Sequence, residues 1–146
     1  ADDRDRDRVV RRQRQMCIRD RSRVINELEA RNLQPATVFV GKDLTLNNCQ
    51  LIKDLDQKGY EIAAFGYALD ENGEFLQLAD LTREEQEEII RNTKDTIENC
   101  LEHEIVGFRS QRFSQNKDTN EIVKDLGFTW NGSFVIKWHP EVSFIP

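Results

Sequence analysis

From Arg23 onward, short β-rich apolar runs alternate with segments of helical period, and that order restricts the possible folds more than any single motif does. Val24-Ile25, Leu28 and Leu33 mark one face of a short amphipathic helix. Pro35 punctuates it, and Ala36-Thr37-Val38-Phe39-Val40 reads as a strand ending at Gly41. Leu44, Leu46, Leu51-Ile52 and Leu55 then recur near helical spacing until Lys58-Gly59, where glycine supplies a stop before the strand "YEIAAF". Thr82 with Glu85 forms a capping box, and Ile90, Thr93, Ile97 and Leu101 line a helix face running to His103. "EIVGF" reads as the next strand, leading to Arg109. Thr119, Ile122-Val123 and Leu126 mark a helix stopped by Gly127, and Phe128-Thr129-Trp130 is a last short strand. Such alternation predicts a parallel α/β fold, either a barrel or an open sheet.

In parallel folds, ligands lie at the carboxyl ends of the strands. That rule selects three loops: the one after Val40, the one from Phe65 to Leu81, and the one from Arg109 to Asp118. The second contains Asp70, Glu71, Glu74 and Asp80. These carboxylates suit acid/base work or a hard cation, but "DENGE" is also ordinary turn chemistry around Asn72-Gly73. In "GFRSQRFS", Arg109 either binds or orients a carboxylate or pairs with an acidic helix. His103 suits the negative end of its helix, whereas His139 stands beside Trp138 and before Pro140. No Ser-His-Asp or Cys-His set and no glycine-rich phosphate loop can be assembled.

Bulk properties exclude several classes. The 146 residues suffice for one domain with a real core, and no apolar run approaches bilayer-spanning length. Residues 1–22 carry three surplus positive charges and the remainder nine surplus negative ones, which argues against a nucleic-acid backbone as partner. Cys17, Cys49 and Cys100 lack zinc-site spacing. Cys49 and Cys100 fall in predicted helices and read as reduced, buried thiols acting as small hydrophobes, so the redox compartment stays undecided.

The opening "ADDRDRDRVVRRQRQMCIRDRS" has almost nothing to pack and reads as a charged arm. Gln15-Met16-Cys17-Ile18-Arg19-Asp20-Arg21 is also the translation of CAG ATG TGT ATA AGA GAC AGR, which contains the transposon-end adapter AGATGTGTATAAGAGACAG used in sequencing libraries. The expectation is that 1–22 is adapter-derived sequence from a metagenomic read, with a domain over 23–146 whose natural N-terminus is missing.

"GYEIAAFGYALD", "LTREEQEEIIRNTKDTIE", "GFRSQRFS" and "DTNEIVKDLGFTWNGSF" together resemble the middle of a NodB-homology polysaccharide deacetylase, carbohydrate esterase family 4, cut at both ends. The likeness spans roughly Val24 to Pro146. It is strongest to the branch with motifs E-I-x-x-H-G-Y-x-H and F-R-A-P-x-F-S. The resemblance implies a partial, distorted (β/α) barrel and hydrolysis of N-acetyl (non-peptide C–N) bonds in chitin-like or peptidoglycan-like glycans. It also implies a zinc-type metal held by one Asp of a T-F-D-D-G motif and by two His. Those two His positions are Phe65 and Leu69 here, with Gly66 and Tyr67 retained between them.

By the same resemblance Arg109 matches the arginine that orients the catalytic Asp, Gln111 replaces a proline, and Phe113-Ser114 match. Asn131-Gly132-Ser133 stands where Asp-Ser-Ser is usual, and His139 where a His-Asp pair often follows. Phe113, Tyr67 and His139 become candidate substrate-binding residues. The family suggests an envelope or extracellular setting and a polysaccharide partner. Phe and Leu have no lone pair to give a metal, so the expectation is that no metal cofactor is retained and catalysis is impaired. Three readings stay open: an active deacetylase with its metal relocated to the 70–80 loop, a catalytically dead glycan-binding or envelope module using Phe65, Tyr67 and Trp138, and a generic α/β domain.

Overall fold

The computed structural model describes residues 23–32 and 36–133. The chain divides into two compact units, Ala1–Ala36 and Thr37–Pro146. In the first, residues 23–30 form helix α1, at whose end Arg31 Nε donates to Glu27 Oε2 at 3.1 Å, one helical turn back. Leu33 and Pro35, which the sequence reading used for this helix and its stop, lie outside the described residues.

The second unit runs β1 (Thr37–Val40), α2 (Lys42–Asn47), α3 (Cys49–Gln57), β2 (Glu61–Gly66), β3 (Ala68–Leu69), β4 (Phe75–Leu76), α4 (Arg83–Leu101), β5 (Gly107–Ser110), α5 (Lys117–Asp125) and β6 (Trp130–Asn131). Single 3-10 turns at Leu78–Asp80 and Gln111–Phe113 precede α4 and α5. Strands β1, β2, β5 and β6 lie side by side in that order, all parallel, so each strand neighbours the next one of the sheet. This is the wall of a (β/α) barrel. Among the described residues the wall does not close, in keeping with the expected partial barrel.

Side chains alternate across this wall. Val40, Ile62, Ala64 and Phe108 face the helices and are buried with Ile52, Leu55, Ile90, Ile97, Ile122 and Val123. Helix α4 packs on α2, α3, α5 and β2, which makes it the central support. Its start is the capping box read from the sequence: Thr82 Oγ1 accepts from the Glu85 N–H at 3.3 Å, and Glu85 Oε2 accepts from the Thr82 N–H at 2.8 Å. A buried polar contact joins α4 to α5, with Thr119 Oγ1 donating to Gln86 Oε1 at 2.5 Å. Arg83 adds ion pairs to Glu121 at 2.9 Å and Asp118 at 3.4 Å. Gly59 and Gly127, at φ +88° and +84°, end α3 and α5 with the paired backbone bonds of left-handed C-caps.

Four expectations are corrected. The helix expected across Leu44–Leu55 is two helices, because Asn48 leaves helical geometry at φ −142° and its side-chain amide donates back to the Leu44 carbonyl. Strand β5 starts at Gly107, not Glu104: the Ile105 N–H donates to Glu98 Oε1 at 2.9 Å and is tied to α4, which places Arg109 inside the strand. β6 likewise falls on Trp130–Asn131, with the Phe128 N–H spent on the C-cap bond to the Val123 carbonyl. Cys49 and Cys100 are not separate thiols; α3 and α4 bring their Cα atoms to 5.7 Å and the sulfurs form a disulfide.

Candidate functional site

The other face of the sheet carries Phe39 on β1, Glu61, Ala63 and Phe65 on β2, Arg109 on β5 and Trp130 on β6. At its amino end Glu61 is held in place, accepting from Thr37 Oγ1 at 2.7 Å and Trp130 Nε1 at 3.0 Å. Four residues further along β2, Phe65 is the register partner of Arg109, so both side chains stand on this face at the carboxyl end of the strands.

Arg109 is framed by aromatic rings. Its guanidinium carbon lies 4.3 Å from the Phe113 ring centroid and 5.4 Å from that of Phe39, and Phe39 meets Trp130 edge-on at 5.8 Å. Phe113 reaches this position because Arg112 and Phe113 both adopt left-handed backbone conformations, φ +51° and +58°. Each costs about 1–2 kcal/mol for a non-glycine residue. Ser114 braces the turn: its N–H donates to the Gln111 carbonyl at 2.9 Å, and its Oγ accepts from the Ala79 N–H at 3.0 Å. Behind it, the Ser110 N–H donates to buried Ser133 Oγ at 2.8 Å, tying the third motif to Asn131-Gly132-Ser133.

A second aromatic group adjoins the first. Tyr67 lies 5.9 Å from Phe65 and 5.8 Å from Phe75, and its hydroxyl donates to Asp43 Oδ2 at 2.5 Å. The ring turns its Cε1 edge to Gly41, where an added Cβ would come within 2.4 Å of Tyr67 Cε1. Strands β3 and β4 form a hairpin pairing Leu69 with Phe75, and both are exposed, at 44% and 51%. Asp70 serves the hairpin turn: its Oδ1 accepts from the backbone N–H groups of Asn72 and Glu74 at 2.8 and 2.9 Å.

Arg109 and Phe113 are therefore in contact, and Tyr67 joins them through Phe65; His139 lies outside the described residues. Sequence reasoning missed Phe39, Asp43 and Phe75. Phe39 and Asp43 flank the carboxyl end of β1, and the strand-end rule applied residue by residue would have selected both. Phe75 carried no signal, because its place depends on a hairpin of two-residue strands. His103 sits elsewhere, with Nε2 2.8 Å from Asp56 Oδ2 and Nδ1 2.9 Å from the Glu104 carbonyl. The Asp56 contact and then the Glu104 carbonyl raise its pKa against a smaller opposing effect of burial.

The metal implied by the sequence motifs does not fit these residues. Phe65 and Leu69 offer no lone pair, and among the described residues no three His, Cys, Asp or Glu side chains come together as a ligand set. No helix among them is long and apolar enough to cross a membrane.

The comparisons with known proteins give the family of this parallel α/β wall. The sequence model of the polysaccharide deacetylase family matches residues 20–130, and the chain belongs to that family. No curated protein sequence matches it. Among solved structures it is similar to a polysaccharide deacetylase from Mycobacterium smegmatis, at 22% identity and TM-score 0.63 over 75% of this chain and 36% of that one. It is also similar to a family 4 carbohydrate esterase from Streptomyces lividans solved with acetate, at 17% identity and TM-score 0.56 over 64% and 45%. A third is a mutant, with restored enzymatic activity, of a family 4 pseudoenzyme from Bacillus anthracis, at 17% identity and TM-score 0.62 over 73% and 37%. These likenesses concern the fold, and the chain spans about a third to a half of each relative's length.

Proposed function

We propose that this domain holds an N-acetylated cell-wall or envelope glycan at the carboxyl ends of its strands and does not carry out metal-dependent deacetylation. The observation that carries the reading is the pairing of Phe65 with Arg109: a phenyl ring stands beside the site arginine where the family frame calls for a metal-binding imidazole. Amide hydrolysis by the family route needs a metal to polarise the carbonyl and to supply hydroxide near neutral pH, and Phe65 and Leu69 have no lone pair to offer one. What remains suits binding. Phe65, Tyr67, Phe75 and Phe113 offer rings to the C–H faces of sugar residues, and Arg109 offers N–H donors to hydroxyl or carbonyl oxygens. A pseudoenzyme among the similar structures, one mutant of which has restored activity, supports the idea that this fold persists with its catalysis lost and the frame intact.

The test is titration of N-acetylchitotetraose followed by NMR. Tyr67→Ala and Phe113→Ala are each expected to weaken binding about 5- to 10-fold, the loss of roughly 1 kcal/mol of ring contact, while circular dichroism shows the fold retained. Unchanged binding in both folded variants, or no binding by the natural chain, would remove the reading.

A further inference from the structure

Three links join one face of α3 to the end of α4. Residues 49, 53 and 56, at helical spacing on α3, meet 100, 102 and 103: the Cys49–Cys100 disulfide, Lys53 Nζ to Glu102 Oε2 at 3.4 Å, and Asp56 Oδ2 to His103 Nε2 at 2.8 Å. The two polar links are exposed enough to be weak individually, yet both hold α3 against the end of α4 just beyond the bond. Cys49 is the first residue of α3 and half-buried, whereas Cys100 is the penultimate residue of α4 and only 8% exposed.

We infer that Cys49–Cys100 is a permanent cross-link, closed in an oxidising compartment and shielded by the fold from thiol exchange. Exchange begins when an incoming thiolate attacks one sulfur; that sulfur enters a mixed disulfide, the S–S bond breaks, and its electron pair leaves on the other sulfur as a thiolate. The accessible target is Cys49. Attack there expels the Cys100 thiolate into a buried position at the carboxyl end of a 19-residue helix, where unpaired carbonyls repel negative charge. The favourable leaving group is Cys49, at the amino end of α3, where backbone N–H groups stabilise an anion, but expelling it requires attack on buried Cys100. Accessibility and leaving-group quality thus fall on opposite sulfurs. The flanking contacts also keep a released Cys100 thiolate beside the mixed disulfide, so reclosure outruns completion by a second thiol. A regulatory disulfide needs the reverse arrangement.

The experiment uses the whole 146-residue chain, exported to the bacterial periplasm in one preparation and made in the reducing cytosol in another, with thiols blocked at lysis. Digestion and mass spectrometry of the exported chain are expected to find the Cys49 and Cys100 peptides joined. Millimolar glutathione is then expected to open the bond about 100-fold more slowly in native protein than in urea. The cytosolic chain is expected to carry both thiols free and to be cleaved by trypsin at least about tenfold faster. Cys17 paired with either partner, native and urea rates within about threefold, or a cytosolic chain equally resistant to trypsin would each overturn the inference.

Discussion

Replacing Gly41 with alanine tests the strand-end architecture with one carbon atom. Gly41 has φ −95° and ψ 168°, a backbone conformation open to any residue, so alanine brings no backbone strain. The added Cβ would lie 2.4 Å from Tyr67 Cε1, so the half-buried ring must shift. The cost then includes contacts the ring loosens: an exposed hydrogen bond to Asp43, about 1 kcal/mol, and ring contacts to Phe65 and Phe75, about 0.5 kcal/mol or more each. A destabilisation of about 1–3 kcal/mol follows, matching the usual cost of overpacking. For a unit of this size the midpoint should fall by about 5–15 °C. Urea denaturation of Gly41→Ala, Tyr67→Ala and the double variant isolates the cause. With Tyr67 gone the alanine should cost under about 0.5 kcal/mol, so the two sites couple by 1 kcal/mol or so. An equal cost in both backgrounds would refute the placement of Tyr67 on Gly41.

Three further outcomes are expected. Converting both Cys49 and Cys100 to alanine opens a loop of about 50 residues and should lower unfolding free energy by about 4 kcal/mol in denaturant titration; a loss under about 1 kcal/mol would mean the bond is not closed. Thr82→Ala removes the cap of α4 and should cost about 1 kcal/mol, whereas Thr82→Ser should restore most of it. His103 has a folded pKa raised above the ordinary 6.5, chiefly by Asp56, so its contribution is complete below that value and is lost as pH rises through the folded pKa. With the imidazole 49% exposed, solvent screening holds this within about 1 kcal/mol. Melting temperature across that window should fall in the natural chain and flatten in His103→Asn.

The strand-and-helix order was legible because each element carries its own local signal: the Thr82–Glu85 box, the glycine stops at 59 and 127, and the apolar run ending at Phe65. Boundaries slipped where a tertiary contact took over the backbone, as at Ile105, whose N–H is held by Glu98 from α4, and at Asn48, whose side chain turns back on Leu44. The disulfide could not be read, since pairing residues 51 apart depends on how α3 and α4 pack. Arg109, Phe113 and Tyr67 were put forward by the resemblance, and the structure sets the Arg109 guanidinium against the Phe113 ring. The frame around them was not: Phe39 and Phe75 reach the site only through strand register and a hairpin closed by the Asp70 turn.

The metal-free glycan reading stands or falls on calorimetry of the chain with zinc and with N-acetylchitotetraose, each alone and then together, with released acetate assayed in the same cell. The expected result is oligosaccharide binding that neither zinc nor a chelator alters, no stoichiometric zinc uptake and no acetate. Zinc bound one to one at micromolar concentration, with acetate released, would contradict it and would require ligands that Phe65 and Leu69 do not supply.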